Sequence, residues 1–422
     1  MSGTPAGRDF PADFLWGSAT SAHQVEGGNT NNDWWAWEQD PRSPAPSSGD
    51  GIDHLSRYDE DFALLASLGQ NAHRMSLEWS RIEPAPGEFS RAGLDHYARV
   101  LESMDRHGLA GFVTLHHKTL PLWFAERGGW LAPDALDRFE RYASVVASRL
   151  GELAPYFCTI NEPQIIALFG YATAQMPPGH RDAGEATEVN HILTAAHRRA
   201  VAALRTGAGS PSVGVCLQLA PAEPLRPDHP DDIAAAKTVR SLLVDTHLDD
   251  LRNGGDVGDW VGLQYYTRVK IDAREPSLIA PPASGAEATQ MGWEIDPAGF
   301  AEMLTTIATI GLPIFVTENG IATADDEQRR RFMLSHLSEL ERVMAAGVDV
   351  RGYLHWSAFD NFEWNHGYGP TFGLIGIDHA DGLRRVVRPS ALAFARLARS
   401  GRLDALAGDN AAPLPRAPSA AV

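Results

Sequence analysis

Short apolar runs and longer amphipathic segments alternate along most of this chain. Eight of the short runs have the length and the β-branched or aromatic content of buried strands, and they cover residues 14–19, 72–77, 110–115, 156–160, 213–219, 260–265, 312–317 and 350–356. Between them, apolar residues recur at helical spacing, in segments 58–68, 94–107, 135–150, 189–205, 234–251, 297–310 and 327–346. Eight strands that alternate with helices predict an α/β fold, a single (β/α)8 TIM barrel.

Four stretches rich in proline, glycine, serine and alanine interrupt this pattern, at residues 41–51, 177–188, 221–232 and 274–292. Such composition is typical of loops, and we expect these loops at the mouth or rim of the barrel. Residues 408–422 are rich in alanine and proline and have no apolar face, which predicts a disordered tail. The predicted organisation is one barrel domain over residues 1–407, followed by this tail.

Two of the predicted strands run into a glutamate. Glu162 and Glu318 each follow an apolar run, and each stands beside an asparagine. A carboxylate removed from water needs fixed donors or a cation, or it takes up a proton. Either glutamate alone also fits a helix-start charge or an ordinary ion pair. Together at the carboxyl ends of barrel strands, they indicate acid and nucleophile chemistry on an acetal.

Other polar and aromatic side chains stand at the same strand ends, and we expect all of them to converge on one mouth. They are Gln24, Glu78, His116, Asn161, Tyr266 and Trp356. The chain also has 11 tryptophans, several of them in polar, glycine-rich surroundings. Aromatic faces in a polar cleft suit the C–H faces of sugars, although core filling is the better explanation for any single one of them.

The charge and the cysteines narrow the classes of function. The formal charge is −18, from 54 acidic and 36 basic residues. The sequence has no run of basic residues that could bind along a phosphate backbone, so we expect no nucleic-acid partner. The sequence shows no signal peptide and no run of membrane-spanning length, which predicts a cytoplasmic protein. Cys158 and Cys216 lie in strand-like runs and are predicted to be buried free thiols. No metal-ligand spacing and no phosphate-binding glycine motif is present, so we expect no metal and no cofactor.

Six motifs occur in order along residues 14–388: FLWGSATSAHQVEG (14–27), RMSLEWSRI (74–82), TLHH with a following PLWF (114–124), TINEP (159–163), VTENG (316–320) and HWSAFDNFEW (355–364). In this order they resemble the family 1 glycoside hydrolases, the retaining β-glucosidase and β-galactosidase group. The resemblance implies an enzyme that acts on a small-molecule β-glycoside.

The resemblance also implies roles for particular residues. Glu318 matches the nucleophile that forms a covalent glycosyl-enzyme, and Glu162 matches the acid that later becomes the base. Arg74 and Tyr266 match the residues that hold the nucleophile, and Asn161 matches the donor to the sugar 2-hydroxyl. Retention requires the two carboxyl groups about 5–5.5 Å apart. We expect the proton to reside mainly on Glu162, because an acid needs an apolar setting and a nearby negative charge.

The resemblance also implies which residues bind the sugar. One set forms hydrogen bonds to its hydroxyls (the hydroxyl readers), and another set stacks against its ring. Gln24, His116 and Glu363 match the readers, and Trp356 and Trp364 match the stacking floor and wall. His116 alone also fits a core histidine, and Glu363 an exposed loop acid. Relatives that act on 6-phosphorylated sugars have a basic pocket in place of the tryptophan. Trp364, and an expected absence of lysine near it, therefore indicate a non-phosphorylated sugar.

Several positions depart from the family pattern. His117 stands where the family has tryptophan after the histidine, Gln264 where it has asparagine, and Thr371 where it has arginine. The first two changes bear on sugar preference and aglycone orientation. The chain is also short for the family, which predicts trimmed rim loops and room for a bulky aglycone.

The favoured function is a retaining β-glycosidase that hydrolyses β-D-glucosides, with β-D-fucosides and β-D-galactosides as further substrates. A transglycosidase uses the same intermediate and every residue named above, so it stays open as an alternative. A non-catalytic sugar-binding barrel is the third possibility, and the presence of both glutamates argues against it.

Overall fold

Eight parallel strands form a closed barrel in the computed structural model, which describes residues 9–207, 209–275 and 278–407. We label the strands β1 (Leu15–Ala19), β2 (Ala72–Ser76), β3 (Ala110–His116), β4 (Tyr156–Asn161), β5 (Ser212–Gln218), β6 (Trp260–Tyr265), β7 (Ile314–Asn319) and β8 (Val350–Trp356). Each strand pairs with the next one along the chain, and β1 pairs with β8 to close the barrel. The predicted TIM-barrel fold is confirmed. The predicted tail at 408–422 lies outside the described residues, so the division into domain and tail stays a prediction.

Helices follow the strands and cover the outside of the barrel. The longer ones are His54–Ser67, Arg91–Arg106, Ala135–Leu150, Ala183–Thr206, Pro230–Arg240, Thr246–Asn253, Pro297–Ile307, Asp326–Ala345 and Pro389–Ser400. Short helices lie at Ala22–Val25, Asp33–Gln39, Trp79–Ile82, Leu122–Ala125, Pro163–Ile165 and Asp404–Ala407. In the described part of the chain, none of these helices has the length and apolar content needed to cross a bilayer.

Two segments differ from the sequence expectation. The helix expected at 189–205 begins at Ala183, inside the predicted loop 177–188. The Asp182 carboxylate accepts hydrogen bonds from the Gly184 and Glu185 amides at 2.7 and 3.1 Å, and this N-cap starts the helix earlier. The helix expected at 234–251 is two helices, joined by the wider π-helical turn Ser241–Asp245.

Two small sheets lie outside the barrel. Ala222–Pro224 pairs in parallel with Val269–Ile271, so part of the predicted loop 221–232 is strand. Ile375–Asp378 pairs with Arg384–Val387 as an antiparallel hairpin. The first small sheet follows β5 and β6 along the chain, and it therefore lies at the end of the barrel where the strands' carboxyl ends meet. We call that end the mouth.

The barrel interior is filled with side chains. Phe112, Trp260, Phe315 and Leu354 pack there together with both cysteines. The Cys158 and Cys216 sulfurs lie 3.3 Å apart, and both thiols are buried and free, as predicted. A packed interior leaves the mouth as the place where a ligand can meet the strand ends.

The two ends of the described chain meet beneath the barrel. The Asp9 and Phe10 amides donate to the Gly401 carbonyl at 2.9 and 3.2 Å. Trp16 of β1 packs edge-on against Phe394 of the helix Pro389–Ser400, with ring centroids 5.9 Å apart. That helix ends at Gly401 in the left-handed conformation, with φ of 64°, which a glycine adopts without strain.

Candidate active site

Glu318 ends β7 and is held by donors on both of its carboxylate oxygens. Arg74 of β2 donates its Nη1 to Oε1 at 2.6 Å, and Gln264 of β6 donates its Nε2 to the same oxygen at 2.6 Å. The Tyr266 hydroxyl donates to Oε2. Burial raises the pKa of Glu318 to about 7; Arg74 opposes the rise, and the negative charge of Glu162 adds to it. This arrangement fixes the orientation of the carboxylate.

Glu162 directly follows β4, in the left-handed backbone region with φ of 52°. Its Oε2 lies 3.3 Å from the Lys118 ammonium nitrogen. Lys118 also has a positive φ, of 68°, and its ammonium lies 5.1 Å from the centre of the Trp364 ring. Positive φ is strained for residues with a side chain, and it persists where the surrounding structure imposes it. The second carboxyl of the site is therefore paired with a cation.

Asn161 connects the two sides of the site. Its Oδ1 accepts from Arg74 Nη2 and, at 2.7 Å, from Gln264 Nε2. Its Nδ2 lies 3.4 Å from His117 Nε2. Arg74 and Gln264 each bridge Asn161 and Glu318, so the residue before Glu162 and the carboxylate of Glu318 share one hydrogen-bonded network.

The histidine at the mouth is His117, and not His116 as predicted. His116 faces outward and packs edge-on against Trp130 and Phe139, with centroid distances of 5.3 and 6.3 Å. His117 instead lies nearly parallel to the rings of Trp356 and Trp364, 6.2 Å from each. The prediction that His116 binds a sugar hydroxyl is therefore wrong: His116 is a core histidine, and the neighbouring His117 lies at the mouth instead. Burial lowers the pKa of His117 well below its ordinary value, so its imidazole is neutral.

Gln24 and Glu363 meet on the other side of the mouth. The Gln24 Nε2 donates to the Phe362 carbonyl at 2.9 Å and lies 3.4 Å from Glu363 Oε2. Burial raises the pKa of Glu363 to about 8, while the charge of Lys118 opposes the rise. At neutral pH the Glu363 carboxyl is therefore mostly protonated, and it can both donate and accept hydrogen bonds.

A second correction concerns charge beside Trp364. The sequence led us to expect no lysine near this tryptophan, but Lys118 lies over its ring. Lys118 and Trp364 are 246 residues apart in the sequence, and the turn after β3 brings the lysine to the mouth, so the motifs alone did not show this contact. One signal pointed to it: only Lys118, Lys237 and Lys270 among the 36 basic residues are lysines, and Lys118 alone stands inside a motif.

The site thus brings three carboxyl groups and two cations to one mouth: Glu162, Glu318, Glu363, Arg74 and Lys118. Within the described ranges no three His, Cys, Asp or Glu side chains are arranged to hold a metal ion. An anchored carboxylate facing a second carboxyl, with aromatic walls beside them, is suited to substitution at the acetal carbon of a sugar.

Comparisons with known proteins agree with this geometry. The model of glycosyl hydrolase family 1 matches residues 6–258 and 249–402. The chain is 29% identical to beta-glucosidase A of Thermotoga maritima, over 94% of this chain and 99% of that protein. It is 33% identical to a bifunctional beta-D-glucosidase/beta-D-fucosidase of Bifidobacterium breve, over 88% of this chain and 94% of that protein. A solved beta-glycosidase from Pyrococcus horikoshii superposes with a TM-score of 0.86 at 36% identity, over 93% of this chain and 95% of that one.

Proposed function

The chain belongs to glycosyl hydrolase family 1, and from that premise we propose that it is a retaining β-glycosidase for non-phosphorylated β-D-glucosides, with β-D-fucosides and β-D-galactosides as further substrates. Relatives named for glucosidase, galactosidase and fucosidase activity support this range. Trp364 fills the wall of the site, and Lys118 is already paired with Glu162, which leaves no free cation among the described site residues for a sugar phosphate.

The observation that carries the proposal is the anchoring of Glu318 by Arg74, Gln264 and Tyr266. A carboxylate nucleophile must be held in one orientation and must stay ionised. Fixed hydrogen-bond donors favour both. In the first step an oxygen of Glu318 bonds to the anomeric carbon while the bond to the aglycone oxygen breaks. Glu162 gives its proton to that leaving oxygen.

In the second step Glu162, now a carboxylate, takes a proton from water. The water oxygen bonds to the anomeric carbon, and the bond to Glu318 breaks and returns its electron pair to the carboxylate. Two displacements at one carbon retain its configuration, and the net reaction consumes one water. The expected carboxyl separation of about 5–5.5 Å stays a prediction.

The same geometry indicates which side chains would hydrogen-bond to the sugar. Asn161 keeps its Oδ1 on Arg74 and Gln264, so its Nδ2 is the part that can donate to the sugar 2-hydroxyl. Gln24 and Glu363 meet where the remaining hydroxyls would lie, and Trp356 provides a flat apolar surface. His117 takes the reading role that the sequence assigned to His116.

Replacement of the nucleophile tests the proposal. We expect Glu318→Ala to lose hydrolysis of p-nitrophenyl β-glucoside and to recover turnover with azide, giving the inverted α-glycosyl azide, because the small anion enters the space left by the carboxylate. The control is Glu78→Ala, which removes another buried glutamate beyond a strand end, one bonded to Ser80 and Thr119. Azide should restore nothing in that variant. The proposal is wrong if wild-type protein releases no p-nitrophenol from the glucoside, fucoside or galactoside, or if Glu318→Ala yields no azide adduct.

A further inference from the structure

His23, one residue before the hydroxyl reader Gln24, is buried against the aromatic wall of the site. Its ring lies nearly parallel to the ring of Trp364, with an interplanar angle of 6° and ring centroids 5.8 Å apart. It also contacts Trp34 and Phe362, with centroid distances of 6.5 and 5.9 Å. Three aromatic rings therefore surround this imidazole, and Trp364 is the one that the proposed function places against the sugar.

The orientation of the His23 ring is fixed by hydrogen bonds at both of its nitrogens. The Asn32 Oδ1 already accepts from the Trp35 amide at 2.8 Å, so the Asn32 Nδ2 donates to His23 Nδ1, 3.0 Å away. His23 Nε2 therefore carries a hydrogen and donates it to Glu38 Oε1 at 2.8 Å. The side chains of His23 and Glu38 are both 0% exposed. The imidazole cannot turn away from Trp364 without breaking a buried hydrogen bond, which is costly.

Glu38 also connects this histidine to the loop 41–51. Its Oε2 accepts from the Ser48 amide at 2.9 Å and from the Ser48 hydroxyl at 3.0 Å. The Ser48 carbonyl in turn accepts from the hydroxyl of Tyr368 at 2.6 Å, in the turn that follows Trp364. One oxygen of Glu38 thus holds the histidine that packs on the Trp364 ring, and the other holds the loop that is bonded to the next turn.

One short helix, Ala22–Val25, carries both the histidine and the hydroxyl reader. The Gln24 Oε1 accepts from the Ser21 hydroxyl at 2.6 Å, and its Nε2 donates to the Phe362 carbonyl at 2.9 Å. The helix has only four residues, so a displacement of His23 also displaces Gln24. The wall and the reader therefore depend on the same buried anchor.

We propose that His23 and Glu38 are positioning residues that act through Trp364 and Gln24, and that this buried pair sets the preference of the protein among β-glucosides, β-galactosides and β-fucosides. These sugars differ only in the orientation or the presence of single hydroxyl groups. Groups that discriminate between them must be held to within about 0.5 Å by the packing and hydrogen bonds behind them. The inference rests on the proposed function and names residues that narrow its sugar range.

The experiment measures kcat/KM for the p-nitrophenyl β-glycosides of glucose, galactose and fucose with one stock of each protein. All three substrates have the same leaving group, so the ratios of their kcat/KM values report recognition of the sugar and not proton transfer to the aglycone. The fraction of protein that is folded cancels from these ratios. A loss of stability alone therefore leaves them unchanged.

Four variants separate the ring of the histidine from its hydrogen bonds. His23→Ala removes both, whereas His23→Gln keeps a donor near Glu38 and removes only the flat ring. Glu38→Ala removes the acceptor, and Glu38→Gln keeps an amide oxygen that can accept from His23. The matched control is His54→Ala, because His54 Nδ1 forms a similarly buried pair with Asp61 Oδ2 at 2.8 Å, and its ring packs on Phe359 instead.

We expect wild-type protein to discriminate by about tenfold or more between the best and the worst of the three sugars. His23→Ala, His23→Gln and Glu38→Ala should each reduce this ratio by about threefold or more, mainly through a higher KM for the preferred sugar, because the wall and the reader are no longer held in place. Glu38→Gln should lie nearer to the wild type than Glu38→Ala does. His54→Ala should keep the wild-type ratio.

Wild-type ratios in His23→Gln would overturn the inference, as would a change in His54→Ala as large as that in His23→Ala. An active wild type that shows no preference among the three sugars would also overturn it. His23→Gln decides the outcome if His23→Ala does not fold, because it keeps the buried hydrogen bond to Glu38. A wild type that releases no p-nitrophenol from any of the three glycosides would overturn the proposed function, and this inference with it.

Discussion

The hydrogen bond from Tyr266 to Glu318 depends on a phenol that keeps its proton. Burial raises the pKa of Tyr266 well above its ordinary value, and the neighbouring charge of Glu318 adds to the rise. The hydroxyl therefore keeps its proton at neutral pH and donates to Glu318. Together with Arg74 it opposes the effect of burial, which raises the pKa of Glu318.

Removal of this hydroxyl isolates its contribution. We expect Tyr266→Phe to lower kcat/KM by about tenfold to 100-fold, because a hydrogen bond to a charged group contributes about 1.5–3 kcal/mol. Steady-state kinetics with an aryl β-glucoside measure the change. The matched control is Tyr265→Phe, whose hydroxyl donates to the Asp296 carbonyl at 2.8 Å behind the strand. If both variants retain wild-type kcat/KM, Tyr266 does not support the nucleophile.

At this scale the sequence predicted that most of these side chains converge on one mouth, and the structure places them there, but the sequence misplaced the histidine at the end of β3. Arg74, Glu162 and Glu318 stand in short motifs on predicted strands or at their ends, and Tyr266 directly follows a predicted strand, so their convergence could be predicted. His116 and His117 are adjacent, and sequence alone does not show which of two neighbours turns inward at a strand end. The positive φ of Lys118, which turns the chain there, has no sequence signal because lysine rarely adopts it.

At the scale of the elements, Gly320 directly follows β7 and lies close to the backbone of Trp356, the last residue of β8. A Cβ placed on Gly320 would lie 1.6 Å from the Trp356 carbonyl oxygen. The residue after the Glu318–Asn319 pair must therefore be glycine if Trp356 is to keep its place. This contact links the strand that carries Glu318, the proposed nucleophile, to the strand that carries Trp356.

We predict that Gly320→Ala separates these strand ends. Overpacking of this kind costs about 1–3 kcal/mol of unfolding free energy, and a displacement of about 1 Å at the reacting groups lowers kcat by about 100-fold. Denaturant unfolding and kinetics measure the two effects. Gly111→Ala, in β3, is the control, because its new Cβ would meet Ala154 and Met104 at 3.4 Å. Wild-type activity in Gly320→Ala would contradict the assignment of this contact.

The strands were mostly predictable, since the apolar pattern and the length of each run place both ends of all eight strands to within two residues. An observed helix boundary differs from the predicted one where a local hydrogen bond extends the helix beyond the apolar pattern. The N-cap at Asp182, which starts its helix at Ala183 and not at 189, is an example. The helix Pro389–Ser400 was not predicted, although its buried residues recur at helical spacing, because it follows the last strand and completes no further strand–helix unit.

Across the whole molecule, buried titratable groups set the dependence of stability on pH. Six buried histidines have pKa values lowered by burial from 6.5 to about 3 or 4: His73, His116, His197, His247, His336 and His355. Three buried carboxyl groups have pKa values raised by burial to about 7 or 8: Asp33, Glu318 and Glu363.

The two sets act in opposite directions. Between about pH 4 and 6.5 the unfolded chain binds protons on histidines that stay neutral when folded, so stability falls as pH falls through this window. The carboxyl groups bind protons more tightly when folded, so their contribution is present below their unfolded pKa and is lost as pH rises to about 8. Because six groups outnumber three in the lower window, we expect maximal stability near pH 6.5.

Guanidinium unfolding from pH 4 to pH 9 measures this profile. His247→Gln should reduce the loss of stability between pH 6.5 and 4, because one buried neutral histidine is gone. His379→Gln, at an exposed position, should leave the profile as in wild type. Stability that is constant or rises as the pH falls from 6.5 to 4 would contradict this account.

The closure of the barrel by β1 and β8 has a consequence for synthesis. While the ribosome is still extending the chain, β1 has only β2 as a neighbour, and its other edge and Trp16 stay uncovered until β8 and the helix Pro389–Ser400 emerge. A nascent polypeptide of this protein therefore offers an open strand edge to other chains for most of translation. Chaperones that shield newly made protein should engage its first strand, and release it only after the final helix has left the exit tunnel.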